Sequence, residues 1–200
     1  MARRRRLAGL LVLAVSLLTA APTGAGEPRD VTMLDNRYAP NLMTVGQGQQ
    51  VELTNFGQED HDAVDDTGLD LFDTGLLSPP ESATIGPLPG AGTYGYVCTF
   101  HPEMTGRFDV PIRVSDREVP TGAEVTVHWA TTRAPAGLVF DVQRRRPGAD
   151  RFEPWRTGVG TPATRWWPAT PGRWVLRARV RDAEGGAASA WSPLRAVRVG

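Results

Sequence analysis

Thr93-Tyr94-Gly95-Tyr96-Val97-Cys98-Thr99-Phe100-His101-Pro102-Glu103-Met104-Thr105-Gly106 is the stretch on which the reading of this chain turns. Up to Cys98 it reads as a strand bounded by turn residues. From Cys98 it becomes a tight loop with the pattern Cys-x2-His-x2-Met. A thiolate, an imidazole and a thioether held within seven residues can converge on a single ion. A trigonal His2Cys set with a long axial methionine is the blue-copper arrangement, in which soft sulfur suits Cu(I) and imidazole serves both oxidation states. The spacing therefore predicts one copper ion per chain, cycling between Cu(II) and Cu(I).

That set needs a second histidine, and the chain has three: His61, His101 and His128. His61 lies in Thr54-Asn55-Phe56-Gly57-Gln58-Glu59-Asp60-His61-Asp62-Ala63, a loop leading into a strand in the same half as Cys98. His128 sits beside Trp129 in a strand of the other half and reads as a half-exposed strand residue. Among the methionines, Met33 and Met43 fall at strand positions and read as core; Met104 alone has ligand spacing. The expected metal ligands are His61, Cys98, His101 and Met104. Zinc favours a tetrahedral site and seldom recruits methionine. A cysteine–histidine nucleophile would need a base and an oxyanion arrangement that the sequence lacks. No enzyme activity is expected.

The cysteine count fits the same picture. Arg3 to Arg6 form a positive stretch, and Leu7 to Leu18 is an apolar run of 12 residues, short of the ~20 that cross a bilayer. Small residues follow, with cleavage expected after Ala20 or Ala25. Residues 1–25 are thus read as a signal peptide, which leaves no transmembrane segment in the mature chain. The expected location is the periplasm, the cell envelope or the extracellular space. Exported chains favour disulfides, yet Cys98 is the only cysteine, so no internal disulfide forms. A lone thiol in an oxidising compartment is a liability unless a metal occupies it.

Working outward, Val31–Leu34, Leu42–Val45, Gln50–Thr54, Ala63-Val64, Ala83–Ile85, Thr93–Cys98 and Arg107–Val114 read as short strands between turns. Pro111 points to an edge or a bulge in the last. No helical period runs longer than a turn or two, so the first half is expected to be a β-sandwich. Asp116–Gly122 is polar, and after it the alternation restarts at Val125–Trp129, Val139–Gln143, Trp174–Val180 and Leu194–Val199. Charge changes sign at the same place. Residues 27–118 hold 5 arginines against 16 carboxylates, a net −11; residues 119–200 hold 13 against 6, a net +7. All 22 basic residues are arginine. The expected organisation is a first domain over 27–116, a linker over 117–122 and a second domain over 123–200. Basic patches can mean nucleic acid, but export argues against such a partner.

Residues from about Val31 to Val114 resemble the cupredoxins of the plastocyanin and azurin superfamily. The resemblance rests on Tyr38-Ala39-Pro40, on Val45, Gly46, Gly48 and Val51, on Asn55 and Gly57 before His61, on Phe72-Asp73-Thr74-Gly75, and on Gly92–Cys98. The short loop from Cys98 to Met104 is similar to that of amicyanin. The resemblance implies an eight-stranded Greek-key sandwich with copper held near one end by His61, Cys98, His101 and Met104. Two departures stand out. Asp60 and Asp62 flank His61 where the family often has Pro and Asn; Asp62 is expected to take over the tie to Thr99. Glu103 replaces an apolar residue before the methionine. Residues 123–200 resemble a fibronectin type III domain, an immunoglobulin-like sandwich, on Val127-His128-Trp129, Pro171–Asp182 and Ser189-Ala190-Trp191-Ser192-Pro193. The whole chain is thus expected to be all-β, an exported blue copper electron carrier with a spacer or adhesion module that contacts the envelope or another protein. Copper storage or delivery without redox turnover is the alternative. The excess of carboxylates in the first half predicts a redox partner with a basic docking face.

Overall fold

The computed structural model describes residues 27–200, and the leader expected over residues 1–25 lies outside them. Every regular element among the described residues is a strand. No helix there is long and apolar enough to cross a membrane.

Eight strands build a first sandwich: β1 (Arg29–Leu34), β2 (Arg37–Ala39), β3 (Leu42–Thr44), β4 (Val51–Asn55), β5 (Val64–Asp65), β6 (Ser82–Ile85), β7 (Gly92–Val97) and β8 (Thr105–Val110). They form two four-stranded sheets, ordered β2-β1-β4-β6 and β3-β8-β7-β5. Side chains alternate across a strand, so every second residue points inward. Val31 and Met33 of β1, Val51 and Leu53 of β4, Tyr94 and Tyr96 of β7, and Phe108 and Val110 of β8 fill the interior. Tyr96 stacks on Phe108 with centroids 4.4 Å apart. Met33 and Met43 are core residues, as their strand positions predict.

The remaining strands are β9 (Arg113–Val114), β10 (Glu118–Val119), β11 (Val125–His128), β12 (Leu138–Arg145), β13 (Glu153–Val159), β14 (Ala163–Trp166), β15 (Gly172–Asp182) and β16 (Arg195–Val199). Their sheets run β14-β11-β9 and β10-β16-β15-β12-β13. Trp129, Phe140, Val142, Leu176, Ala178, Val180 and Val197 are buried in this second half. Trp166 is buried and the adjacent Trp167 exposed.

The strand pattern read in the sequence lacks β2, β13 and β14, and it differs further where the two halves join. Arg107–Val114 is not one strand: it breaks at Pro111-Ile112, and β9 leaves the first sandwich to pair with β11, Val114 opposite Val127. The polar stretch after it contains β10, which runs parallel to β16. The two halves also meet directly. Thr93 and Ala190 exchange backbone hydrogen bonds of 3.0 Å, and Ala91 N–H donates to the Trp129 carbonyl. Gln47 donates to the carbonyls of Pro111 and His128. Gly90 permits this approach: a Cβ there would lie 2.7 Å from Phe140 and 2.8 Å from the Trp129 oxygen. Buried apolar residues of both halves form one continuous cluster.

This junction takes hold of β7 at its first residues, whereas Cys98 follows its last. A strand rises about 3.3 Å per residue, so Cys98 lies on the order of 15–20 Å from the Thr93–Ala190 bridge. The second half therefore packs on the end of the first sandwich remote from Cys98.

Candidate metal centre

Strand alternation places the thiol. Gly92, Tyr94 and Tyr96 face the core, and the same period carries Cys98 inward, where it is fully buried. The loop after it folds back on itself. Met104 N–H donates to the His101 carbonyl at 2.8 Å, and Cys98 N–H donates to the Met104 carbonyl at 3.0 Å. This returns Met104 to the core, fully buried, one residue before β8 begins.

His61 arrives from the other sheet's connection. Its backbone exchanges hydrogen bonds with Leu77, at 3.1 and 2.8 Å. Buried Asn55 donates through its amide to the carbonyls of Glu59 and Leu77, each at 2.8 Å, which fixes the loop ahead of His61. Asp35, in the β1–β2 turn, accepts from the backbone of Gln58 at 2.7 Å. That bond holds the Asp35 carboxyl below its ordinary range. A side chain at Gly57 would overlap Asp35, so glycine is needed there.

Asp62 joins the His61 loop to the Cys98 loop. Its carboxylate accepts from Thr99 N–H at 2.7 Å and from the Thr99 hydroxyl, and its own carbonyl accepts from Tyr38 at 2.6 Å. The tie expected between Asp62 and Thr99 is thus present. Burial raises the Tyr38 phenol above its ordinary range, so it stays a neutral donor.

These constraints bring His61, Cys98 and His101 together, with candidate donor atoms all within 4.8 Å of one another. Cys98 Sγ lies 3.8 Å from His61 Nδ1 and 3.6 Å from His101 Nδ1. A first-row metal bonded to sulfur at about 2.3 Å and to each imidazole at about 2.0 Å, with angles of roughly 110–120°, requires sulfur–nitrogen separations of about 3.5–3.7 Å. The donor set and its spacing therefore fit one transition-metal ion. Soft thiolate and imidazole donors, with a buried thioether in the same loop, match copper better than a hard cation.

Both imidazoles turn Nδ1 to the sulfur and Nε2 toward a carboxylate. His101 Nε2 is 2.9 Å from Glu59 Oε2. His61 Nε2 is buried and 3.7 Å from Asp35 Oδ1, too far for a hydrogen bond. Carboxylates in this position orient metal-binding histidines and raise their basicity. Neither contact was legible in the sequence. Glu59 had one available signal, its place two residues before His61 in the same loop. Asp60 and Glu103, expected at this end, are both exposed. His128 lies in β11, half-buried and outside the cluster, and burial lowers its pKa.

His61 is wholly enclosed, but 24% of the His101 side chain reaches the surface. Exposed apolar side chains sit on the loops that carry the cluster: Phe100 beside His101, Phe56 in the His61 loop, and Leu76 next to Leu77.

No protein-family model matches the chain, and no curated protein matches it. Among solved structures, a purple cupredoxin from Nitrosopumilus maritimus is similar at 21% identity over 41% of this chain and 98% of its own, with a TM-score of 0.38. A Cu(I) form of an amicyanin variant aligns at 23% identity over 44% of this chain and 86% of its own, with a TM-score of 0.40. A copper-containing nitrite reductase from Thermus scotoductus aligns at 30% identity over 46% of this chain but only 24% of its own length, with a TM-score of 0.37.

Proposed function

We propose that this chain is an exported blue copper protein that carries single electrons between redox partners, with one ion held by His61, Cys98, His101 and Met104. The observation that carries the reading is a buried Cys98 thiol set between two imidazole Nδ1 atoms at 3.8 and 3.6 Å. Copper bound there supplies a one-electron couple between Cu(II) and Cu(I). The protein's part is to hold the donors still. Asp62 joins the two ligand loops, Asn55 fixes the approach to His61, and burial keeps water from Cys98 and His61. A donor set fixed this way keeps its geometry as the charge changes, so little reorganisation accompanies transfer.

Storage or delivery is disfavoured by the same enclosure, because an exchangeable site would leave its thiol and first histidine open. The partly exposed His101, among Phe100, Phe56 and Leu76, is the exit we assign to the electron. The carboxylate excess of this half suits a partner with a basic face, and complementary charge of that kind accelerates encounter. For the second half, the order β14-β11-β9 facing β10-β16-β15-β12-β13 supports a fibronectin type III-like sandwich. We place the boundary between the two units near Pro111-Ile112. Packed on the end remote from Cys98, the second unit leaves the docking end free and acts as a spacer toward the envelope.

A reductive titration of the copper-loaded protein tests the electron-carrier role. One electron per chain, recovered on reoxidation, is expected. A copper that binds but does not cycle would favour storage or delivery.

A further inference from the structure

Two groups of arginines on the large sheet of the second half contrast with each other. On the outer face of β12, β13 and β15 they are answered by neighbours. Arg144 and Arg146 pair with Glu153, and Arg179 and Arg181 pair with Asp141. Arg177 donates to Gln143 and lies over Phe152 and Trp191, 4.1 and 4.5 Å from the ring centroids.

At the opposite edge of the same sheet the pattern reverses. Arg117, Arg173, Arg195 and Arg198 line a surface cavity of about 320 Å³, together with Glu118 and Leu194. None of the four makes an ion pair among the described residues. The fold forces them together. Arg173 and Arg198 are directly opposed in the β15–β16 ladder, and Arg198 N–H donates to the Arg117 carbonyl at 2.7 Å. Like charges directly opposite across a ladder repel. Arg195 is steadied by one bond, from its Nε to the Ile112 carbonyl at 2.8 Å. Burial, and then the Arg117 charge, lower the Arg195 pKa. Among the described residues, four guanidiniums line the cavity with a single carboxylate, Glu118.

We propose that this cavity binds a phosphate group, free or esterified. Guanidinium presents a planar fork that matches phosphate oxygens two at a time, and several forks around one concavity suit an anion with several acceptors. The exposed Leu194 adds an apolar contact at the rim. The site belongs to the unit that packs away from Cys98. Bound through it to a phosphate-bearing surface, the chain would turn its acidic, metal-carrying end outward, toward partners.

The test uses the full mature chain with and without the double substitution Arg173→Gln/Arg198→Gln, both side chains being exposed and their loss tolerable to the fold. An Arg133→Gln variant, altering an exposed arginine elsewhere, is the control. Inorganic phosphate is titrated by calorimetry at constant ionic strength set with chloride. Separately, sedimentation is measured with vesicles of phosphatidylglycerol and of phosphatidylcholine. Saturable phosphate binding, weakened about tenfold or more by the double substitution and unchanged by Arg133→Gln, supports a site for free phosphate. Binding to phosphatidylglycerol vesicles alone, lost in the double variant, supports an esterified source. If neither probe binds, or if the double variant binds as the wild type does, the proposal is overturned.

Discussion

The two halves of this molecule treat buried polarity in opposite ways. In the second, Asp141 is buried and its neighbours answer it: Arg179 and Arg181 reach its carboxylate at 3.1 Å, and Gly158 N–H donates to it at 3.0 Å. In the first, the buried His61 leaves its Nε2 without a hydrogen-bond partner, while its Nδ1 and that of His101 converge on Cys98 Sγ at 3.8 and 3.6 Å. A buried polar group costs stability unless it is paired. The Asp141 arrangement is complete as protein. The arrangement around Cys98 sets three metal-ligating donors within 4.8 Å of one another, and that contrast marks which half holds the candidate centre.

Three substitutions and one truncation sharpen the contrast. The largest effect on stability is expected from Asp141→Ala, which strands two arginines and should cost about 3 kcal/mol by denaturant unfolding. It should leave the optical spectrum of the copper-loaded protein unchanged; a changed spectrum would mean that the halves are coupled through more than packing. Next comes separation. A segment of residues 27–118 carries all four expected ligands and should bind copper. It uncovers Leu88, Ala91 and Ile112, all buried in the whole chain, and should lose on the order of a few kcal/mol of stability. A folded segment that fails to bind would mean that the second half completes the site.

Met104→Leu should keep the colour and raise the reduction potential, since the axial donor that favours Cu(II) is removed. An unchanged potential would count against Met104 as a ligand. The smallest effect is expected from Glu59→Gln. The amide oxygen still accepts from His101 Nε2, but the negative charge that favours Cu(II) is gone. The potential should rise slightly, and Cu(II) affinity should fall by up to about tenfold. Because the Glu59 side chain is 57% exposed, the shift should shrink further as salt rises. No shift at low salt would show that the contact with His101 does not persist in solution.

How much of this was legible in the sequence depended on range. Cys98, His101 and Met104 share one loop, so their spacing alone marked them as candidate ligands. His61 followed because only three histidines exist and His128 lies in the other half. The Asp62–Thr99 tie was readable through family resemblance. Asp35 was not: its contacts with Gln58 and His61 span more than 20 residues, and nothing local marks an acid in a turn as a loop anchor. Strands with clean alternation were found. β13 was missed because Pro154 and Gly158 interrupt it, which an edge strand tolerates. The crossing of β9 was also hidden, because alternation reveals which face a residue takes but not which sheet the strand joins.

The central claim is that Cys98 binds copper as a thiolate between His61 and His101. The direct test is the visible absorption spectrum of the Cu(II)-loaded protein, compared with Cys98→Ser at matched copper content. The account predicts an intense thiolate-to-copper charge-transfer band in the wild type and its loss in Cys98→Ser. A band that survives the substitution, or a copper-loaded wild type without one, would contradict it.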